Sequence, residues 1–447
     1  MHSGITTAYL ARYRKLAETA GADRLLPLTG AQRRFLLTRR MRPQARPDTV
    51  PLFFRFPRGT VDPARLHRAA LRLAARHPAL RGRYTTLRGT PVLRLGEPSV
   101  EVAELAVAPG TPAEETVRRA LLAWPAEGPV LRLLLAADPG SGQELLTVAL
   151  DHAACDEQSL GLVTAGLSEA YAPDGGAPAA EDGLAAYREA VELQLAAEQE
   201  AASPAARAHW AARLGTLDEG PAAPAPTTAP TPTPEPESVR PTGALAERLP
   251  AVTGAARGAV FPALLDAVGA AGHRLLGTRR TLAVGYPWGG RPAGAAEVLG
   301  CFLNTLVHPA APDAPLHPGT GSPGGLDALA DGWWDDLEHA GTPFDEVVHA
   351  ARSGGAHWSG TLDGLLTFED LRRRPPLVLD GVAGVEAHPA GRPIGAPFAV
   401  AASNGERELL VRLVWDRAHC HDRDAEAAFD VLLLTLRHHL APVPAAR

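Results

Sequence analysis

The chain of 447 residues carries 44 Lys and Arg against 50 Asp and Glu, a net charge of -6, with 45% hydrophobic and 21% charged residues. This is the balance of a globular protein too long for one ordinary core, so two domains of roughly 200 residues are expected. The acidic excess argues against a nucleic-acid surface. Basic residues are almost all arginine, Lys15 being the only lysine; that suits bidentate recognition of carboxylate or phosphate and is produced equally well by codon bias. Cys155, Cys301 and Cys420 lack CxxC spacing, so neither a disulfide framework nor a structural zinc site is indicated, and a reducing cytosol fits. No signal-peptide core opens the chain and no run approaches the ~18 apolar residues of a membrane span, so a cytoplasmic protein is expected.

In chain order, the opening helix carries Ile5, Tyr9, Leu16 and Ala20 along one stripe, with Arg12, Arg14, Lys15 and Glu18 left for solvent. Such a stripe either packs on its own domain or docks an acidic partner helix. "RLHRAALRLAARHPALRGRY" (65–84) has helical apolar spacing and then a turn, while "PVLRLLLAADPGSGQELLTVAL" (129–150) reads as two strands around a Pro-Gly-Ser-Gly hairpin. The second strand ends near Leu150, Asp151 and His152 follow, and a helix opens near Glu157. His152 therefore sits in a loop at a sheet edge, where functional residues often lie. Two readings stay open on local sequence. The imidazole can exchange a proton with an attacking amine or hydroxyl near neutral pH, or it is a satisfied polar residue at a strand end, with Asp156 as N-cap of the next helix.

Residues 218–243, "DEGPAAPAPTTAPTPTPEPESVRPTG", mark the sharpest composition shift and cannot bury a core. Pro-rich chain of this kind favours extended polyproline geometry. The predicted organisation is thus a domain at 1–217, a linker at 218–243 and a domain at 244–447. Beyond the linker, 261–277 reads as an apolar helix, "TLAVGYP" (281–287) and "ELLVRLVWD" (408–416) as strands, and 425–440 as a closing helix. "HCHDRD" (419–424) offers metal-ligand types, but its acids suit a helix N-terminus better; His438 and His439 suit a helix C-terminus. "GGRP" lacks the spacing of a phosphate loop. No metal is implied.

Several stretches, taken in order, resemble the condensation domains of nonribosomal peptide synthetases. "LPLTGAQRRFLL" (26–37) is similar to the family's opening motif and "RHPALRGRY" (76–84) to its second. "DHAACDEQS" (151–159) stands where the family carries HHxxxDG. "VGYPWGGRP" with "EVLGCFLNTL" (284–306) resembles its long Gly-Arg and Asn-Thr motif, and "HAGTPFDEVV" (339–348) its His-x-x-x-Pro-Phe-Glu stretch.

The resemblance implies an α/β fold of two chloramphenicol-acetyltransferase-like subdomains in a V-shaped pseudodimer. It also implies an active-site tunnel at their junction, with carrier proteins entering from opposite faces. It further implies a condensation enzyme that transfers an acyl group from a carrier-protein thioester to an amine or alcohol, free or carrier-bound; since the match takes up the chain a freestanding enzyme is expected, and the two similar halves make a monomer the expectation. The carrier acts in trans. No bound cofactor is implied, since the substrate rides on a phosphopantetheine arm; nucleic acid and membrane are not expected partners. By the same resemblance His152 is the catalytic residue beside the nucleophile, Asp156 and Arg291 form a structural pair, and Trp288 and Asn304 line the tunnel.

Two positions depart from the family pattern: Asp151 replaces its first histidine and Glu157 its glycine. A side chain at the glycine position is expected to narrow the tunnel or place a carboxylate in it. Asp151, Asp156 and Ser159 also match DxxxxDxxS, the signature of heterocyclisation domains, which is the alternative reading. A catalytically silent relative that recruits partners is a third.

Overall fold

The computed structural model describes residues 4–20, 24–41, 48–124, 128–138, 140–173, 183–219, 242–252, 260–312, 325–389 and 394–440. The chain opens with α1 (Ile5–Ala20), β1 (Leu25–Leu26), α2 (Gly30–Met41), β2 (Thr49–Pro57), α3 (Pro63–Arg76) and α4 (Pro78–Arg81). It continues through β3 (Gly82–Leu87), β4 (Thr90–Leu95), β5 (Val100–Leu105), α5 (Ala113–Leu122), β6 (Leu131–Ala137), β7 (Gln143–Asp151), α6 (Glu157–Tyr171) and α7 (Leu184–Ala201). Then come α8 (Pro204–Leu214), β8 (Thr242–Pro250), α9 (Val260–Leu276), β9 (Leu282–Trp288), β10 (Asn304–Ala310), α10 (Gly325–Glu338) and α11 (Phe344–Ser353). The chain closes with β11 (Gly364–Asp370), β12 (Val378–Leu379), β13 (Val382–Ala383), β14 (Val385–Ala387), β15 (Phe398–Asn404), β16 (Glu408–Asp416) and α12 (Asp422–Leu440).

Two compact units result: Met1–Glu200 with Gly289–Asn304 and Arg373–Pro389, and Ala201–Trp288 with Thr305–Arg372 and Ala390–Arg447. This division differs from the sequence reading, which placed one boundary at 218–243. The reason is apolar burial: Ala295, Leu299 and Phe302 enter the first core, and β14 adds a strand to β2. Most of the Pro-rich stretch lies outside the described residues, and its last two residues, Thr242 and Gly243, already belong to β8.

In the first unit the main sheet has the order β14-β2-β7-β6-β5. β6 and β7 form the antiparallel hairpin read from the sequence, and their near-continuous apolar runs follow from burial on both faces. Leu146, Val148 and Leu150 join a core with Leu66 and Leu73 of α3 and Leu160 and Val163 of α6. Leu145 and Ala149 face the other way, onto Val117 and Leu121 of α5. α3 starts because Asp62 Oδ1 accepts the Arg65 N–H at 2.8 Å and Pro63 pre-sets the first turn. It stops at His77, where the following Pro78 disfavours helical backbone. α1 packs on its own unit through Tyr9 and Leu16, the Tyr9 hydroxyl accepting the Leu28 N–H at 2.6 Å. Arg12, Arg14, Lys15 and Glu18 are exposed.

The second unit holds a sheet of order β10-β9-β11-β15-β16-β8. Its core combines Leu264, Leu265 and Val268 of α9 with Leu432 and Leu436 of α12. The elements read at 261–277, 281–287, 408–416 and 425–440 all appear, α12 opening three residues early at Asp422.

Two histidines, buried His308 and half-buried His77, have their pKa pushed down. Burial, then nearby Arg213, lowers the pKa of His308 to about 3, and burial, then Arg76, lowers that of His77 to about 4. Both lie below the value of an unfolded chain, so their contribution to stability is full above pH ~6.5 and is lost as the pH falls through that range. The unfolding free energy from urea titrations should fall as the pH drops below about 6.5 toward 5, by at most about 1.4 kcal/mol per pH unit for His308. His308→Gln should flatten that dependence, whereas an unchanged slope would refute the assignment.

Candidate active site

β7 ends at Asp151, and the backbone then makes one tight 3-10 turn over His152–Ala154 before α6 begins. The Asp151 N–H donates to the Val130 carbonyl at 2.9 Å and the His152 N–H to the Asp48 carbonyl at 3.0 Å. Asp151 Oδ1 accepts the Ala153 N–H at 2.9 Å, capping the turn. Its carboxylate is gripped by Arg39 of α2, with Nη1 to Oδ2 at 2.8 Å and Nη2 to Oδ1 at 2.5 Å. The acid standing in the family's first histidine position is therefore a paired, bidentate carboxylate.

The helix that supplies Arg39 also touches the turn twice more. Gln32 Nε2 donates to the Ala153 carbonyl at 2.9 Å, and the Phe35 ring stacks on the His152 imidazole with centroids 4.4 Å apart. Gln32 is itself set by a capping box: Thr29 N–H donates to Gln32 Oε1 at 3.0 Å, and Gln32 N–H to Thr29 Oγ1 at 3.4 Å. Among the described residues, His152 Nδ1 is buried without a hydrogen-bond partner.

Four residues beyond His152, Asp156 N-caps α6, its Oδ1 accepting the Ser159 N–H at 3.0 Å. Its Oδ2 accepts the Phe302 N–H at 3.0 Å and Arg291 Nε at 3.1 Å, while Arg291 Nη2 binds Oδ1. Arg291 Nη1 donates to the carbonyls of Ala295 (2.8 Å) and Val298 (2.6 Å), and its guanidinium lies 4.9 Å from the Phe302 ring centre. Ser159 Oγ lies 3.0 Å from Asp156 Oδ1 and 2.7 Å from the Gly300 carbonyl, and it accepts from Arg291 Nη2 at 2.8 Å and the Gly300 N–H at 3.1 Å. The Asp156 and Arg291 side chains are 3% and 2% exposed, so this charge pair is out of water and needs every one of these partners.

Glu157 opens α6 and pairs with Arg374 Nη2 at 2.6 Å, whose Nη1 holds Glu386 of β14 at 2.7 Å. Its side chain is 48% exposed against 6% for Arg374. Trp288 ends β9 in the second unit and packs on that unit's core; Asn304 opens β10. Cys155 and Cys301 are fully buried thiols whose pKa burial pushes well up, which leaves them protonated. Away from this region, Asp422 accepts Trp415 Nε1 and Arg417 Nε at 2.9 Å each, and His439 pairs with Asp266 at 2.6 Å. Among the described residues no three His, Cys, Asp or Glu side chains converge as a metal site requires.

Arg39, Phe35 and Arg374 escaped the sequence reading. The Thr29-x-x-Gln32 spacing was a local signal for the cap, but not for the reach of Gln32 to residue 153. Removing one member of the buried pair should be severe: Arg291→Ala is expected to cost about 3–5 kcal/mol in urea unfolding. Arg291→Lys should recover little of this, because an ammonium cannot serve all the acceptors; near-normal stability of either variant would contradict the network.

Comparison with known proteins now bears on this geometry. The Condensation domain family model matches residues 22–371. The chain is 37% identical over 117 residues to malformin synthetase mlfA of Aspergillus luchuensis, covering 26% of this chain and 2% of that protein. It is 34% identical over 180 residues to phenyloxazoline synthase MbtB of Mycobacterium tuberculosis, covering 39% of this chain and 12% of that one. Among solved structures, the first condensation domain of the CDA synthetase superposes with a TM-score of 0.66 at 19% identity, covering 94% of this chain and 97% of that one. The starter condensation domain of rhizomide synthetase RzmA, in complex with C8-CoA and Leu-SNAC, gives 0.68 at 17%, covering 94% and 95%. These structural likenesses carry the mixed α/β fold. With the family model spanning most of its length, this chain belongs to the condensation domain family of nonribosomal peptide synthetases.

Proposed function

We propose that this condensation domain transfers an acyl group from the phosphopantetheine thioester of a carrier protein, supplied in trans, to an amine, with an alcohol as the ester-forming variant. The nucleophile's N–C bond forms, the C–S bond of the thioester breaks, and the proton lost by the amine ends on the released thiol. His152 stands beside the nucleophile, positioning it and relaying that proton. The observation that carries this reading is the condition of the imidazole: it opens the turn directly after a central strand, its backbone is anchored to Asp48, its ring is stacked on Phe35, and no hydrogen bond occupies Nδ1 among the described residues. Asp156 and Arg291 serve the architecture, holding the turn against the start of α6. No metal or redox cofactor is needed for this chemistry, because a thioester is already activated. Trp288 and Asn304 are proposed as substrate-facing residues, on family resemblance.

A second reading has its own support. Asp151, Asp156 and Ser159 keep the heterocyclisation spacing, and phenyloxazoline synthase MbtB is among the relatives. Here the paired Asp151 takes the place of the family's first histidine, while His152 is retained.

The decisive experiment incubates the purified protein with an acyl-loaded carrier protein and a panel of amine, alcohol and cysteine or serine acceptors, followed by mass spectrometry. Amide or ester product is expected, with His152→Ala slower by about 10²- to 10⁴-fold. Loss of one further water from the product would establish ring formation instead. Equal rates for both proteins would remove His152 from the mechanism, and silence from wild type with every acceptor would leave partner recruitment as the role.

A further inference from the structure

We infer that Asp48 is a positioning residue for His152, its carboxylate holding the Nδ1 proton so that Nε2 is presented to the nucleophile as the unprotonated nitrogen. This rests on the proposed role of His152 and goes beyond it by naming what orients the ring.

The warrant is strand register. β2 and β7 are antiparallel, with Thr49 opposite Asp151. Asp48 therefore stands opposite His152 one step further, as the 3.0 Å bond from the His152 N–H to the Asp48 carbonyl confirms. Residues directly opposite in an antiparallel pair project to the same face with Cβ atoms about 4.5–5.5 Å apart. The Asp48 side chain thus starts from the backbone position facing His152, and His152 is the first of its charged neighbours.

Two further observations select this carboxylate over its neighbour. Asp151 is committed to Arg39 and to the Ala153 N–H, so it has no freedom to serve the ring. Among the described residues no hydrogen bond fixes the Asp48 side chain, and His152 Nδ1 is one of the buried polar atoms that lack a hydrogen-bond partner. A buried ring nitrogen left unsatisfied is costly, and a rotation of Asp48 about its own Cα–Cβ bond is the short route to satisfying it. The electrostatics agree: burial pushes the Asp48 carboxyl above the usual carboxylate range, opposed first by His152 and then by Arg39 and Arg34 of α2, with Asp151 acting in the same sense as burial. A carboxylate poised between a histidine and two arginines stays available as a hydrogen-bond acceptor.

The chemical consequence follows from tautomer control. An imidazole that keeps its proton on Nδ1 offers a lone pair on Nε2, and when Nε2 takes the amine's proton the resulting cation faces the Asp48 carboxylate. The Phe35 ring closes one face of the imidazole, which leaves rotation in the ring plane as the freedom that Asp48 removes.

The test has two arms. In ¹⁵N-histidine NMR, with the His152 signals identified by their loss in His152→Gln, wild type should show the Nδ1–H form and Asp48→Asn a tautomer mixture. In the acyl-transfer assay Asp48→Asn should lower kcat by about 10- to 10⁴-fold with KM within about twofold, because the lost interaction acts on the ring and not on bound substrate. Asp48→Glu should recover part of the rate. An unchanged tautomer signature in Asp48→Asn overturns the inference whatever the assay gives. Full activity in His152→Ala, by contrast, overturns the functional reading and leaves the NMR result standing.

Discussion

One buried ion pair governs the region around His152. Arg291 has been taken out of water, and a guanidinium in that position must have an acceptor for each of its donors. Asp156 supplies the charge; Ala295, Val298, Ser159 and Gly300 supply the remaining oxygens. The segment from 291 to 302 has therefore to coil around its own arginine, and Phe302 lands with its N–H on the same carboxylate. Because Asp156 also caps α6, the start of that helix and the coil cannot shift independently. The turn bearing His152 is strung between this fixed point and the end of a strand whose interior is buried.

The opposite side of the turn is held by α2. Arg39, Gln32 and Phe35 contact Asp151, Ala153 and His152 in that order, so three residues of one helix meet three consecutive residues of the loop. Family motifs that are far apart in sequence thus meet in one place. The two departures from the family pattern are each answered by an arginine: Arg39 for Asp151, and Arg374 for Glu157. For Glu157, the expectation of a carboxylate placed near substrate is tempered by its ion pair with Arg374, which also ties α6 to β14 through Glu386.

Local chemistry decides the elements that are legible in the sequence. The β6–β7 hairpin follows from apolar runs broken by Pro-Gly-Ser-Gly; α3 follows from Asp62, Pro63 and a stripe of Leu and Ala; the opening of α6 follows from Asp156. Long-range pairing was legible only through resemblance. Nothing in the spacing of Asp156 and Arg291, 135 residues apart, announces their contact, whereas the family motif pointed to it. The assignment of segments 289–304 and 373–389 to the first unit was not legible, because composition marks where a chain cannot fold and says little about which core a foldable segment will enter. Arg39 and Arg374 were hidden for a related reason: in a chain whose cations are nearly all arginine, residue type alone singles out none of them.

The outer side of β2, which the three-residue β14 covers only in part, has a consequence for solubility. Its sequence, TVPLFFRFP, is among the most β-prone and apolar in the chain, and a bare border of that kind is a template for intermolecular pairing. Two devices blunt it. Pro51 and Pro57 remove ladder donors, which is tolerated only at a border, and β14 lays three residues over Phe53, Phe54 and Arg55. A short strand contributed from more than 300 positions downstream thus acts as a guard against oligomeric mispairing, and a nascent chain lacks that guard until residue 387 has been synthesised.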